Sequence, residues 1–115
     1  MNQSADCLFC GFASGSIPVE RVAENEFAFA ISDINPVAPT HILVIPKKHH
    51  ENAVSTVQSD KNSLLGIFEL VSAIVAREAL DDYRTVFNTG IGAGQSIFHT
   101  HLHLIAGRSL AWPPG

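Results

Sequence analysis

A chain of 115 residues, 46% hydrophobic and only 16% charged, has enough apolar side chains for one real core, which excludes a disordered chain and a pair of independent domains. The net charge is −4 and the seven basic residues are scattered apart from Lys47-Lys48, so no basic stripe exists to meet a nucleic-acid backbone. No apolar run reaches the ~20 residues that cross a bilayer, and the start MNQSADCLFCGF lacks the regions of a secretory signal, which predicts a cytoplasmic protein without a membrane partner.

Residues 1–115 read as a single domain with 1–6 loose. Leu8, Phe9 and Phe12 among small residues predict a short helix over 7–14 that ends at Gly15. VERVAEN (19–25) and EFAFAISD (26–33) read as two strands of a hairpin turning at Glu24-Asn25-Glu26. Pro36 and Pro39 make 34–39 a loop, THILVIP (40–46) is a buried strand closed by Pro46, and KKHHENAV leaves the sheet. Leu64, Ile67, Phe68, Val71, Ile74 and Val75 recur at helical spacing and predict one long helix from Ser59, as N-cap, to about Leu80. RTVFNTG (84–90) and IFHTHLHLIAG (97–107) are the last two strands. Antiparallel strands with a long helix across one face give an α+β domain.

The last strand carries half of the chain's six histidines: His99, His101 and His103 alternate with Thr100, Leu102 and Leu104. Alternation predicts three imidazoles on one face, with the apolar side chains under the long helix. Neighbouring imidazoles disfavour each other's charge, so an unprotonated nitrogen nucleophile is expected at neutral pH. The preceding GIGAGQS (90–96) offers glycine backbone and a hydroxyl to phosphate oxygens. A zinc site in the same histidines, and a structural role, are the competing readings. Cys7 and Cys10, in C-x-x-C spacing, point to a metal or redox role.

PTHILVIPKKHH (39–50), NTGIGAGQSIFHTHLHLIAGR (88–108) and the terminal WPPG together resemble the histidine triad (HIT) family, in its Hint-type branch, over nearly the whole chain. Only Thr100 departs from the family's pattern of histidines alternating with apolar residues. The resemblance implies a sheet of about five strands with one long and one short helix, extended across a homodimer. It implies hydrolysis or transfer at the α-phosphate of purine nucleoside phosphoramidates or aminoacyl adenylates, with no organic cofactor. His101 would be the nucleophile, His103 would bond the phosphate oxygens with amides near Gly94 and Ser96, and His41 would support the triad. Asp33 would hold the ribose, with Ile34 at the base, Asn88, Gln95 and Ser96 around sugar and phosphate, and Phe9 and Ile17 walling the base pocket. Asp33 and Asn88 also read as turn residues.

Some bacterial members pair an N-terminal C-x-x-C with two histidines, which implies structural zinc on Cys7, Cys10, His49 and His99, with His50 competing for the place of His49. Trp112 would reach toward the partner subunit's pocket. Two other functions stay open: a nucleotide- and zinc-binding regulatory protein with incidental turnover, and a dinucleotide polyphosphate hydrolase, which the WPPG ending disfavours.

Overall fold

The computed structural model describes residues 6–115; the expectation of a loose start falls mostly on 1–5, outside the described residues. Five strands form one antiparallel sheet: β1 (Ala23–Glu24), β2 (Ala28–Ser32), β3 (Thr40–Pro46), β4 (Tyr83–Val86) and β5 (Leu102–Ala106), in the order β1-β2-β3-β5-β4. Three helices accompany it: α1 (Leu8–Ser14), α2 (Ala53–Ser59) and α3 (Lys61–Arg77). None of the described helices is long and apolar enough to cross a membrane.

Local chemistry accounts for most boundaries. Gly15 closes α1 in the left-handed region, at φ 83°. Asn25 closes the hairpin: its side-chain oxygen accepts from Phe27 N and Ala28 N. The first hairpin strand is shorter than expected, with only Ala23 and Glu24 paired. The long helix begins one residue later than expected, because Asp60 and not Ser59 is its cap, accepting from Ser63 N. Asp60 also ends α2, a helix absent from the sequence reading; Asn52 opens it with a capping box to Ser55.

The sheet's two faces divide the core. Ala28, Ala30, Ile42, Val44, Leu102 and Leu104 pack under Ile67, Leu70, Val71 and Ile74 of α3. On the other face Phe29, Ile31, Leu43 and Ile45 pack against Phe9 of α1. His41 of β3 and His103 of β5 lie on this second face, where α1 covers the sheet only in part.

Candidate active site and metal centre

The register sets the first half of the site. His103 pairs with Leu43 and His41 with Ile105, so the two histidines are diagonal neighbours on adjacent strands. Their rings meet, with His41 Nε2 2.9 Å from His103 Nδ1. Asp33 follows β2 directly; its N–H donates to His41 O, and its Oδ2 lies 3.3 Å from His41 Nε2. Its other oxygen accepts from Asn35 N at 2.8 Å, so the turn role is also filled.

One backbone amide orders the protons. Val37 N–H donates to His41 Nδ1 at 3.1 Å, so that nitrogen holds the lone pair and Nε2 carries the hydrogen. His41 Nε2–H then serves His103 Nδ1 and Asp33 together, which leaves neutral His103 with its hydrogen on Nε2, a donor. Asp33, His41 and His103 stand close enough to be considered as a metal triad, but His41 has no free nitrogen lone pair while Val37 donates to it. The cluster is a proton-ordering chain.

His101 has the complementary arrangement. Its Nδ1 lies 2.8 Å from His99 O and donates to it, so Nε2 bears the lone pair. No hydrogen bond among the described residues uses that nitrogen. Burial holds the His101 imidazole below its ordinary value. Burial first, then the charges of His101 and His41, pushes His103 down to about 4. Both rings are therefore neutral near pH 7.

His99 departs from the expected strand. The strand begins only at Leu102 and the chain bends at Ile97–His99, yet the rings stay on the α1 side: Phe9 meets both His99 and His101, and the His101 and His103 rings lie 5.1 Å apart. The His99 ring is fully buried. Burial, ahead of the charges of His49 and His101, pushes it down to about 4. Its Nε2–H donates to Pro46 O at 2.8 Å, which turns Nδ1 toward Cys7 and Cys10. The His99 ring thus stands among the residues expected to hold a metal, and its backbone carbonyl serves His101.

Cys7, Cys10, His49 and His99 bring their ligand atoms within 4.8 Å of one another. His49 Nδ1 lies 3.2 Å from His99 Nδ1 and 3.2 Å from Cys10 Sγ, and His99 Nδ1 lies 3.4 Å and 3.5 Å from the two sulfurs. A zinc tetrahedron with bonds of about 2.0 Å to nitrogen and 2.3 Å to sulfur has edges of about 3.3–3.8 Å. The donor set and spacing fit that ion, and the bond from His99 Nε2–H to a carbonyl is the support a ligating imidazole needs. His50 points elsewhere, with Nε2 2.9 Å from Asp60 Oδ2, which separates it from its neighbour His49.

The remaining predicted residues divide. Ser96 is exposed, and no hydrogen bond among the described residues uses its N–H or hydroxyl. Gly94 spends its N–H on Ile91 O and closes a turn at φ 91°, so the expected amide donor there is corrected. Gln95 is corrected likewise: it is buried, accepts from Gly90 N, and donates to Glu51 O and Ile97 O. Asn88 is half-buried beside Gly94. Ile34 is 92% exposed next to Asp33, and Ile17 is partly exposed against Gly11. Phe9 does not wall an open pocket. It is buried behind the histidines, edge-on to His99 at 5.9 Å and to His101 at 5.1 Å. The sequence reading missed Val37, which acts through its amide and leaves no side-chain signal. A hollow of about 1040 Å3 along Tyr83, Arg84 and Arg108 contains no histidine, while one of about 300 Å3 is lined by Asp33 and His41.

A profile described as the HIT domain matches residues 14–110. The chain is 46% identical over 114 residues to an uncharacterized HIT-like protein of Synechococcus elongatus, covering 97% of this chain and 99% of that one. It is 44% identical over 111 residues to a 14 kDa zinc-binding protein of Zea mays, covering 94% and 87%. A HIT family hydrolase from Legionella pneumophila superposes with a TM-score of 0.88 at 43% identity, covering 96% of this chain and 100% of that one. A histidine triad protein from Clostridium difficile gives 0.88 at 35% identity, covering 96% and 97%.

Proposed function

The chain belongs to the HIT family, and we propose that it is a nucleotide hydrolase or nucleotidyl transferase of the Hint-type branch, acting on purine nucleoside phosphoramidates or aminoacyl adenylates. His101 Nε2 attacks the α-phosphorus as the bond to the leaving group breaks, an amine leaving with a proton taken from water and an aminoacyl carboxylate leaving as the anion, and water then cleaves the nucleotidyl-imidazole to nucleoside monophosphate and neutral His101. The observation that carries this reading is the fixed tautomer of His101: Nδ1–H on His99 O leaves Nε2 free and shares the positive charge that forms on the ring. His103 Nε2–H, ordered by Val37 and His41, is the donor for the phosphate oxygens, with Ser96 beside it. Asp33, Ile34 and Asn88 contact the nucleoside.

Cys7, Cys10, His49 and His99 hold zinc in this reading, a view supported by the name of the maize relative and by the tetrahedral spacing. When bound, the ion supplies a cross-link between α1, the loop after β3 and the bend before β5. Two copies of the chain pair through sheet edge and helix face, with Trp112 of each directed at its partner.

A fluorogenic adenosine phosphoramidate tests the enzyme. Turnover by the wild type and its loss in His101→Ala are expected; equal rates would refute the assignment. Nucleotide binding without turnover would favour a regulatory nucleotide- and zinc-binding protein.

A further inference from the structure

Phe9 sits between two cysteines of the candidate metal centre and touches the candidate nucleophile. Its ring meets His101 edge-on, at 5.1 Å and 80°, and His99 at 5.9 Å and 83°. Cys7 and Cys10, on either side of it in sequence, both face the His99 ring. The same His99 offers the carbonyl that accepts from His101 Nδ1. Two routes thus run from the four-ligand cluster to one imidazole, through a backbone carbonyl and through an aromatic edge.

We propose that Phe9 is a positioning residue for His101, held in place by the metal cluster, so that metal occupancy sets the orientation of the nucleophilic ring. This rests on the reading of His101 given above. A carbonyl fixes only one edge of an imidazole, and the ring remains free to swing about that bond until a second contact stops it. The His103 ring stops it on one side and the edge of Phe9 on another, each at 5.1 Å, and of the two Phe9 is the one that the metal cluster holds. Its own position depends on α1, whose seven residues are too few to form a stable helix alone. Contacts with Phe29, Ile31, Leu43 and Ile45 hold one side of Phe9, and ligation of Cys7 and Cys10 fixes the turn from which it projects. Loss of the ion loosens that turn and the His99 peptide together.

The test compares zinc-loaded wild type, Phe9→Leu and Phe12→Leu. Phe12 neighbours Phe9 at 6.0 Å in the same cluster, so its variant controls for lost packing. Two-bond nitrogen–proton spectra report which nitrogen of His101 carries hydrogen, and an adenosine phosphoramidate reports kcat and KM. Phe9→Leu is expected to keep one zinc per chain, mix the two His101 tautomers and lower kcat about tenfold with KM nearly unchanged, a size in keeping with a sub-ångström misplacement. Phe12→Leu is expected to leave the His101 signals as in wild type, and stripping the zinc with a chelator to reproduce the Phe9→Leu spectrum.

Indistinguishable Phe9 and Phe12 variants would overturn the proposal, as would unchanged His101 signals in folded, zinc-free protein. If zinc removal unfolds the chain, the zinc-loaded variants decide alone. Absence of turnover in every sample would sink the enzyme reading, while the imidazole spectra would still decide this one.

Discussion

Thr100 is where the chain departs from alternating histidine and apolar residue, and proton counting gives the cost of restoring the pattern. Thr100 and Thr56 are both fully buried, with hydroxyl oxygens 2.8 Å apart. Thr56 Oγ1 also lies 2.8 Å from Asn52 O, and Thr100 Oγ1 3.1 Å from His50 O. Three oxygen–oxygen contacts share two hydroxyl hydrogens, so one contact always lacks a proton. In Thr100→Val the Thr56 hydroxyl still donates to Asn52 O, and His50 O still accepts from Thr100 N, so no buried donor is stranded. The loss is one net hydrogen bond, about 1 kcal/mol. The gain is a buried methyl, also about 1 kcal/mol. Stability in urea unfolding, read from the midpoint at constant slope, should therefore stay within about 1 kcal/mol of wild type. The substituted group bonds Thr56 of α2 and His50 O and makes no hydrogen bond to His101 or His103, so kcat should stay within about twofold. A loss above about 2 kcal/mol would refute the proton count and show that the hydroxyl pair is a required bridge between α2 and the bend.

Burial lowers the values of His101 and His103, so their neutral forms persist into mild acid, and kcat/KM should hold level from pH 8 to 6.5 and fall only below it; a half-point at 7 or above would contradict the assignment. The same shifts fix the sign for stability: the unfolded chain takes up these protons first, so stability is present above the ordinary imidazole value and is withdrawn as pH falls from 6.5 toward about 4. Purified protein should carry about one zinc per chain; free zinc at a thousandfold its Kd adds about 4 kcal/mol of stability, which a chelator should remove and Cys10→Ala should lack. Melting curves indifferent to chelator would argue against the centre. Gly107→Ala should cost about 1–3 kcal/mol, since φ is 99° there and an added Cβ would lie 2.9 Å from Pro39 Cβ, and it should lower kcat by shifting the loop that aims Val37 N–H at His41.

Elements set by local chemistry were legible in the sequence. The bounds of β3 follow from an apolar run closed by Pro46, the hairpin turn from Asn25, and the end of α1 from Gly15. Helix α2 escaped notice because AVSTVQS is rich in β-branched and hydroxyl residues and depends on its Asn52 cap and on contact with α3. The site was legible as residue types, and what the sequence did not show is that the strand gives way to a bend before Leu102. Period-two spacing of three histidines predicts one straight strand, and nothing within the stretch signals a bend. The bend comes from partners far away in sequence: Cys7 and Cys10 lie 92 and 89 residues from His99, and His49 lies 50.

The bend resolves a conflict between two chemistries carried by neighbouring residues. A closed thiolate–imidazole cluster needs burial on every side, while a nucleophilic imidazole must reach a substrate. A straight strand would give His99 and His101 the same surroundings and satisfy only one of them. With the chain bent at Ile97–His99, the His99 ring is fully buried and His101 is only half-buried, and Gln95 holds that turn by bonding Gly90 N, Glu51 O and Ile97 O at once. Read as a nucleotide contact, Gln95 has no reason to be buried. As the brace of the turn it must be, since water would compete for each of its three bonds.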